Sequence, residues 1–241
     1  MPLSFDYDLI SEIYDELMQF IPYKEWARYI NELCLKHKAK NFKLLDLGGG
    51  TGNLALPLTE IGYDVTVVDK SSKMLFEAQK KILGRNIRLI CGDIRSIPLT
   101  EKFDVAVCMY DTVNHIDEND LMKFFFSAYD SLRDGGLFMF DFNTDFGLSV
   151  FASHTQYRDG SIFKSVWNTS YDEKKRICTL DLRVEFQDRE ENIQFQERAI
   201  DIEELLFSIN NSGFREKHLY HFLSTNGLKR TSERGMAVCI K

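Results

Sequence analysis

The chain has 241 residues, room for one large domain or for a core carrying an insertion. Its 30 basic and 37 acidic side chains leave a net charge of −7, which argues against a protein whose main affinity is for nucleic-acid phosphates or anionic lipid. With 44% hydrophobic residues, 28% charged residues and four prolines, the composition is that of an ordinary soluble globular protein and excludes collagenous and disordered classes. The five cysteines (Cys34, Cys91, Cys108, Cys178 and Cys239) are odd in number, far apart and without C-x-x-C spacing, so they read as reduced thiols. Residues 1–6 carry no basic segment leading into an apolar one, and no apolar run approaches the roughly 20 residues of a spanning helix. The expected location is the cytoplasm, with no membrane segment.

In chain order, Ile10, Ile13, Tyr14 and Leu17 form a helical stripe, as do Trp26, Tyr29, Ile30 and Leu33. Periodicity alone places Tyr14 and Trp26 in a core. Phe42 to Leu47, Val65 to Val68, Ile87 to Cys91, Val105 to Met109 and Leu137 to Phe142 are short runs apolar on both faces, as strands inside a parallel sheet are. Helices separate them: Ser72 to Leu83, stopped at Gly84, and Asp117 to Leu132, followed by Gly135 and Gly136. Strand and helix repeated this way predict a doubly wound α/β sheet with right-handed crossovers.

The pattern changes near residue 150. Cys178, Leu180, Leu182, Val184 and Phe186 alternate with polar residues, the period of a half-buried antiparallel strand. With flanks at Ile162 to Thr169 and Ile193 to Ile200, and polar turns at 172–175 and 188–192, the reading is a three-stranded meander over about 151–200, packed on the mouth of the core. The core pattern resumes at Asp201, which has capping-box spacing to Glu204 ahead of a helix closed by Gly213; strands at Glu216 to Phe222 and Met236 to Ile240 follow. The core would therefore comprise 1–150 and 201–241, with an N-terminal helical cover.

The most informative stretch runs from Leu44 to Asn53: a buried strand, the loop Gly48-Gly49-Gly50-Thr51-Gly52, then a helix. Glycine serves there for positive φ or for close approach of a ligand, and a tight strand-to-helix turn is the bland alternative. Asp69 closes the second strand, where a carboxylate can accept from a ribose diol, and Asp93 follows the third. A dinucleotide loop needs G-x-G-x-x-G, but Asn53 stands where the third glycine should be. Asp46, so near the loop, disfavours a pyrophosphate and favours a cationic group such as an ammonium or sulfonium. A ribose with a positive charge and no phosphate fits S-adenosylmethionine.

Leu44 to Leu54, Val65 to Leu75, Cys91 to Leu99, Phe103 to Ile116 and Leu132 to Phe142 resemble the successive motifs of the class I S-adenosylmethionine-dependent methyltransferases. Tyr14-Asp15, Tyr23-x-x-Trp26 and the inserted sheet further resemble a bacterial subgroup related to sugar-amine and glycine N-methyltransferases. The resemblance implies a Rossmann-like methyltransferase sheet with a small antiparallel insertion after the fifth strand. It also implies that Gly48 and Gly50 approach the methionine part, that Asp69 holds the ribose, and that Lys70 and Met74 flank the adenine. Asp93 with the Ile94 amide would read the adenine edge, and Met109 would border the cofactor. Tyr14 and Trp26 would belong to a cover over it. Gly49, where the family often has alanine or cysteine, would alter only local stiffness.

Methyl transfer from a sulfonium is an in-line displacement, so alignment and exclusion of water matter most. An ammonium or hydroxyl acceptor must also lose a proton. His115 in the loop Tyr110 to His115 is the first candidate base, against a role in orienting that loop. Asp111 could bind a substrate amine or simply bond its own turn, and Tyr14 is a third candidate at the reacting centre. A metal-dependent version would use Asp141, Asn143 and Asp111, but no dense carboxylate cluster is visible, and no metal is expected. His218 and His221 fall on opposite faces of a strand, which speaks against zinc. Eight basic against nine acidic residues over 155–200, and no Pro-Pro-aromatic sequence after the fourth strand, speak against a nucleic-acid substrate. Phe163, Trp167, Tyr171, Phe186 and Phe195 could line a small-molecule pocket. The expectation is methyl transfer to a small polar acceptor, nitrogen ahead of oxygen, by a monomer or homodimer. A non-catalytic S-adenosylmethionine sensor or partner subunit is the alternative.

Overall fold

A computed structural model describes residues 7–39, 41–152 and 154–241; the 1–6 segment read above for a leader lies outside them. Among the described residues, strands β1 (Lys43–Leu47), β2 (Asp64–Asp69), β3 (Ile87–Cys91), β4 (Phe103–Cys108), β5 (Leu132–Asn143), β10 (Glu216–His221) and β11 (Arg234–Ile240) form a seven-stranded sheet in the order β10-β11-β5-β4-β1-β2-β3. β1 to β5 pair in parallel, and β11 runs antiparallel to both β5 and β10. The chain winds outward from β1 through β2 and β3, then crosses back to β4 and β5. The order therefore reverses between β1 and β4, where open α/β sheets bind their ligands.

The sheet is doubly wound because its strands are apolar on both faces. Leu44, Val65, Val67, Val105 and Val107 pack under α2 (Tyr23–Lys36) and α3 (Ala55–Ile61), together with Trp26, Ile30 and Leu33. The alternate residues Leu45, Leu47, Ala106, Phe138 and Phe140 pack against α5 (Glu118–Ser131) and α7 (Ile202–Asn211). Helix starts follow side-chain caps: Ser71 accepts from the Met74 N–H ahead of α4 (Ser72–Lys81), and Asp201 accepts from the Glu203 and Glu204 N–H groups ahead of α7. β5 begins directly at the end of α5, so Gly135 and Gly136 lie inside the strand and not in a connecting loop.

The second sheet has four strands where the sequence predicts three. β6 (Thr155–Asp159), β7 (Phe163–Asp172), β8 (Ile177–Phe186) and β9 (Glu190–Arg198) form an antiparallel meander between β5 and α7. β6 is polar throughout and gives no apolar alternation to read, and the short α6 (Asp145–Phe151) before it was likewise unread. The apolar face of this sheet does not rest on the core alone. Phe163, Trp167, Leu182, Val184, Phe186, Ile193 and Phe195 cluster with Ile10, Ile13, Leu17 and Met18 from the N-terminal turns and α1 (Tyr14–Leu17). The N-terminal segment is thus sandwiched between the inserted sheet and the ligand edge of the core. No helix among the described residues is long and apolar enough to cross a membrane.

Candidate functional site

A cavity of about 440 Å³ opens at the carboxyl ends of β1, β2 and β4. It is lined by Tyr14, Trp26, Asp46, Gly48, Gly50, Asp69, Lys70, Met74, Asp93, Ile94 and Met109, every residue expected from sequence to face the cofactor. The loop is built for close approach: Gly48, Gly50 and Gly52 take φ of +73°, +53° and +76°. A Cβ on Gly48 would stand 3.0 Å from Thr112 Cγ2.

Asp69 fixes this loop. Its Oδ2 accepts from Gly50 N at 2.9 Å and its Oδ1 from Ser71 N at 2.8 Å, which ties the glycine loop to the start of α4. Asp46 is 1% exposed, and its Oδ2 has no hydrogen-bond partner. Burial, then the neighbouring Asp69 charge, pushes its carboxyl up to about 7. A buried carboxylate oxygen left unsatisfied at a cavity wall is a site for a cationic ligand group. Asp93 behaves differently: Arg95 engages both its oxygens through Nε and Nη2 and holds its carboxyl below the usual range, while Arg95 Nη1 bonds Asp120. The expectation for Gly49 fails. A Cβ there would lie 2.6 Å from Asp46 Oδ2 and 2.8 Å from Val67 Cγ1, so the residue is required by packing and not merely by stiffness.

The N-terminal segment is latched over the loop through Asp15. Its Oδ1 accepts from Thr51 Oγ1 at 2.6 Å and Asn53 Nδ2 at 2.9 Å, and its Oδ2 pairs with Lys81 Nζ at 2.5 Å. Asn53, at the position of the absent third glycine, therefore has a structural partner. Tyr14 and Trp26 are at once packed side chains and part of the cavity wall. Trp26 is buried against Tyr110 and Phe222, Tyr14 packs on the Ile10, Ile13 and Leu17 cluster, and both face the cavity.

A second cavity of about 320 Å³ adjoins the first, and Tyr7, Tyr14, Tyr110 and His115 form walls of both. Asp111 lines only the second. Tyr110 and Asp111 take φ of +63° and +50°, a left-handed pair that costs non-glycine residues roughly 1–2 kcal/mol each. The pair is held by Asp141, which accepts from the Asp111 N–H at 3.3 Å, and by Arg234, which ion-pairs with both Asp111 and Asp141. Asn114, fully buried, donates to the Asn143 and Arg198 carbonyls and accepts from Asn143 N, each at 2.9 Å, stapling the loop to β5 and β9.

His115 places Nδ1 3.2 Å from the Gln196 carbonyl and Nε2 3.9 Å from Asp111 Oδ2. A carbonyl oxygen only accepts, so in that bond Nδ1 carries the proton and Nε2 is the basic nitrogen on the Asp111 side. Burial lowers the His115 pKa and keeps the ring neutral. Glu197 lies beside it, with Oε2 accepting from Asn143 Nδ2 at 2.8 Å; burial, then the Asp111 charge, raises its carboxyl well above the usual range. Burial also pushes Asp141 up to about 6 against the pull of Arg234.

Asp111, His115 and Glu197 present ligand-type atoms within 4.8 Å of one another. Arg234 already compensates the Asp111 charge, which disfavours a divalent cation there, and Asp141, another ligand a metal reading would use, is paired with Arg234. Glu197, Arg234 and Tyr7 were missed from sequence. Glu197 continues the inward register of Ile193 and Phe195, and Arg234 that of Met236 and Val238, which is the signal that could have found them. Of the aromatic residues considered for a pocket, Trp167 and Phe195 face the second cavity. Phe163 and Phe186 sit in the cluster beneath it, and Tyr171 bonds Asp145.

Residues 44–136 match a family model described as a methyltransferase domain. YqeM of Bacillus subtilis, a protein named as a methyltransferase, is 30% identical over 218 residues, spanning 87% of this chain and 86% of that protein. The crystal structure of an S-adenosylmethionine-dependent methyltransferase from Clostridium acetobutylicum superposes with a TM-score of 0.81 at 28% identity, covering 97% of this chain and 98% of that one. The sugar N-methyltransferase KedS8 from Streptoalloteichus shares the fold at 18% identity, with a TM-score of 0.77 over 99% of this chain and 94% of its own. A doubly wound sheet with one reversed strand, a glycine loop anchored by Asp69 and an unpaired buried Asp46 agree with these likenesses: the chain belongs to the class I S-adenosylmethionine-dependent methyltransferases.

Proposed function

We propose that the protein methylates a nitrogen of a small polar acceptor bound in the second cavity, beneath a cover made by the N-terminal segment and the inserted sheet at about 151–200. The observation that carries this is the shared wall. Tyr7, Tyr14, Tyr110 and His115 separate a cofactor-sized cavity from a smaller one whose polar floor is Asp111, Glu197 and Asn143. When bound, S-adenosylmethionine supplies a methyl group made electrophilic by its sulfonium. The chain's residues do the rest. Gly48 and Gly50 allow backbone contact, Asp46 receives the cationic end, and Asp69 meets the ribose with the lone pairs its backbone bonds leave free. Lys70, Met74, Ile94 and Met109 enclose the base and the sulfur side, and the Asp93 carboxylate, held by Arg95, borders the base.

An acceptor amine arrives as an ammonium and attacks only after losing a proton. His115, kept neutral by burial, is the buried proton-accepting group; Glu197, held by burial toward its protonated form, accepts a proton only once it has lost its own. Tyr14 and Tyr110 exclude water from the transfer path. The acceptor cavity, at about 320 Å³, is too small for a nucleic-acid strand. The test is incubation with methyl-¹³C S-adenosylmethionine and a deproteinised metabolite extract. Label on a nitrogen in the low-mass fraction, abolished by Gly48→Arg, supports the reading; label on oxygen, on macromolecules, or nowhere refutes it.

A further inference from the structure

Resting on the acceptor-cavity reading, we infer that Arg158 is an anion-receiving residue and that the methyl acceptor carries a carboxylate on an apolar or aromatic frame. Arg158 projects from β6 into the wall of the second cavity. Among the described residues no carboxylate lies within ion-pair distance of it, whereas the other arginine of the cavity, Arg234, is matched by Asp111 and Asp141. Arg158 donates instead to two neutral acceptors, the Leu17 carbonyl at 3.3 Å and Gln156 Oε1 at 2.7 Å. A guanidinium has five N–H donors, so three remain.

The guanidinium is held flat by its neighbours. Its carbon lies 4.1 Å from the Trp167 ring centroid and 4.2 Å from that of Phe20. Trp167 is itself fixed, since its Nε1 donates to Ser165 Oγ at 3.0 Å and Ser165 donates to the Arg158 carbonyl at 2.7 Å. This is a pre-set fork with aromatic sides, the arrangement that recognises a planar carboxylate in two bonds. Burial disfavours the charged form of Arg158 and no carboxylate among the described residues is paired with it, so a ligand anion would supply the compensating charge. A single arginine balances a single negative charge. A dianionic phosphate would bring a second one toward Asp111 and Glu233, which share the cavity. Ile10, Met18, Phe20 and Leu180 supply the apolar walls that a ring or hydrocarbon frame would fill.

The test is a Trp fluorescence titration of protein loaded with S-adenosylhomocysteine, using phenylacetate, phenyl phosphate and the neutral isostere phenylacetamide at constant ionic strength. Phenylacetate should bind about tenfold more tightly than phenylacetamide, the scale of a charge-assisted pair. Arg158→Gln should bring that ratio to about one while affinity for phenylacetamide and for S-adenosylhomocysteine is unchanged, which also shows that the variant is folded. Equal affinity for acid and amide, absence of phenylacetate binding, or a preference that survives Arg158→Gln overturns the inference. Tighter binding of phenyl phosphate overturns the assignment of a carboxylate. The underlying reading fails separately, if methyl transfer survives filling of the cavity by Leu180→Trp.

Discussion

Asp46→Asn removes the one buried carboxylate of the cofactor cavity that has an orphaned oxygen, and it should move stability and cofactor binding in opposite directions. In the ligand-free protein, burial raises the Asp46 carboxyl from 3.8 to about 7. Between about pH 4 and pH 7 the folded chain keeps a proton that the unfolded chain has released, so stability falls as pH rises through that window and the penalty is complete above it. A rise of that size corresponds to about 4 kcal/mol, an upper value because the surroundings relax. Asparagine is isosteric and never charged. Urea unfolding of the ligand-free variant should therefore show a gain at pH 8, at most about 4 kcal/mol, and little difference at pH 4. Glu197, Asp141 and Asp69 titrate in the same direction, but in both proteins, so the difference reports Asp46 together with its coupling to Asp69. Calorimetry with S-adenosylhomocysteine at pH 8 should show a loss of about 1.5–3 kcal/mol in the variant, the worth of a hydrogen bond to a charged group. Wild-type affinity should fall as pH drops below about 7, and the variant's should not. A variant no more stable at pH 8, or one with unaltered cofactor affinity, would refute the assignment.

Other substitutions test other parts of the site. Gly49→Ala should destabilise the fold by about 1–3 kcal/mol, because its Cβ meets Asp46 Oδ2 and Val67; an unchanged urea midpoint contradicts the packing argument. His115→Ala should lower kcat and leave the dissociation constant of S-adenosylhomocysteine unchanged, and turnover equal to wild type at every pH removes it as a base. Asp69→Ala should weaken cofactor binding by about 1–3 kcal/mol and also loosen the glycine loop it anchors at Gly50, so binding that stays intact would show the ribose held elsewhere. Arg234→Met should cost about 3–5 kcal/mol of stability at neutral pH by leaving Asp111 and Asp141 unpaired, and less below about pH 6, where Asp141 takes up a proton; equal loss at both pH values would show that packing, not charge, is what Arg234 supplies.

The lining of the larger cavity was legible in the sequence because it is local. Gly48, Gly50 and Asp46 lie within one strand-loop-helix unit, and Asp69 ends the next strand, so spacing alone brings them to one edge. The second cavity is assembled from the ends of β4, β5, β6, β9 and β11, which only tertiary structure joins. A charged residue in an alternating strand reads as a solvent-facing one, and this concealed Glu197. Arg234 lay beyond the predicted start of the last strand, and Arg158 was concealed because β6 had no apolar period at all. The error at Gly49 has the same origin: its constraint is set by Val67 on the neighbouring strand as much as by Asp46.

The most direct test of the two-cavity arrangement is a crystal structure with S-adenosylhomocysteine and the product isolated from the labelling experiment. The expected result is S-adenosylhomocysteine against Gly48, Gly50 and Asp69, with the methylated nitrogen in the adjoining cavity near His115 and Glu197. A product bound outside that cavity, or S-adenosylhomocysteine away from the glycine loop, would contradict it.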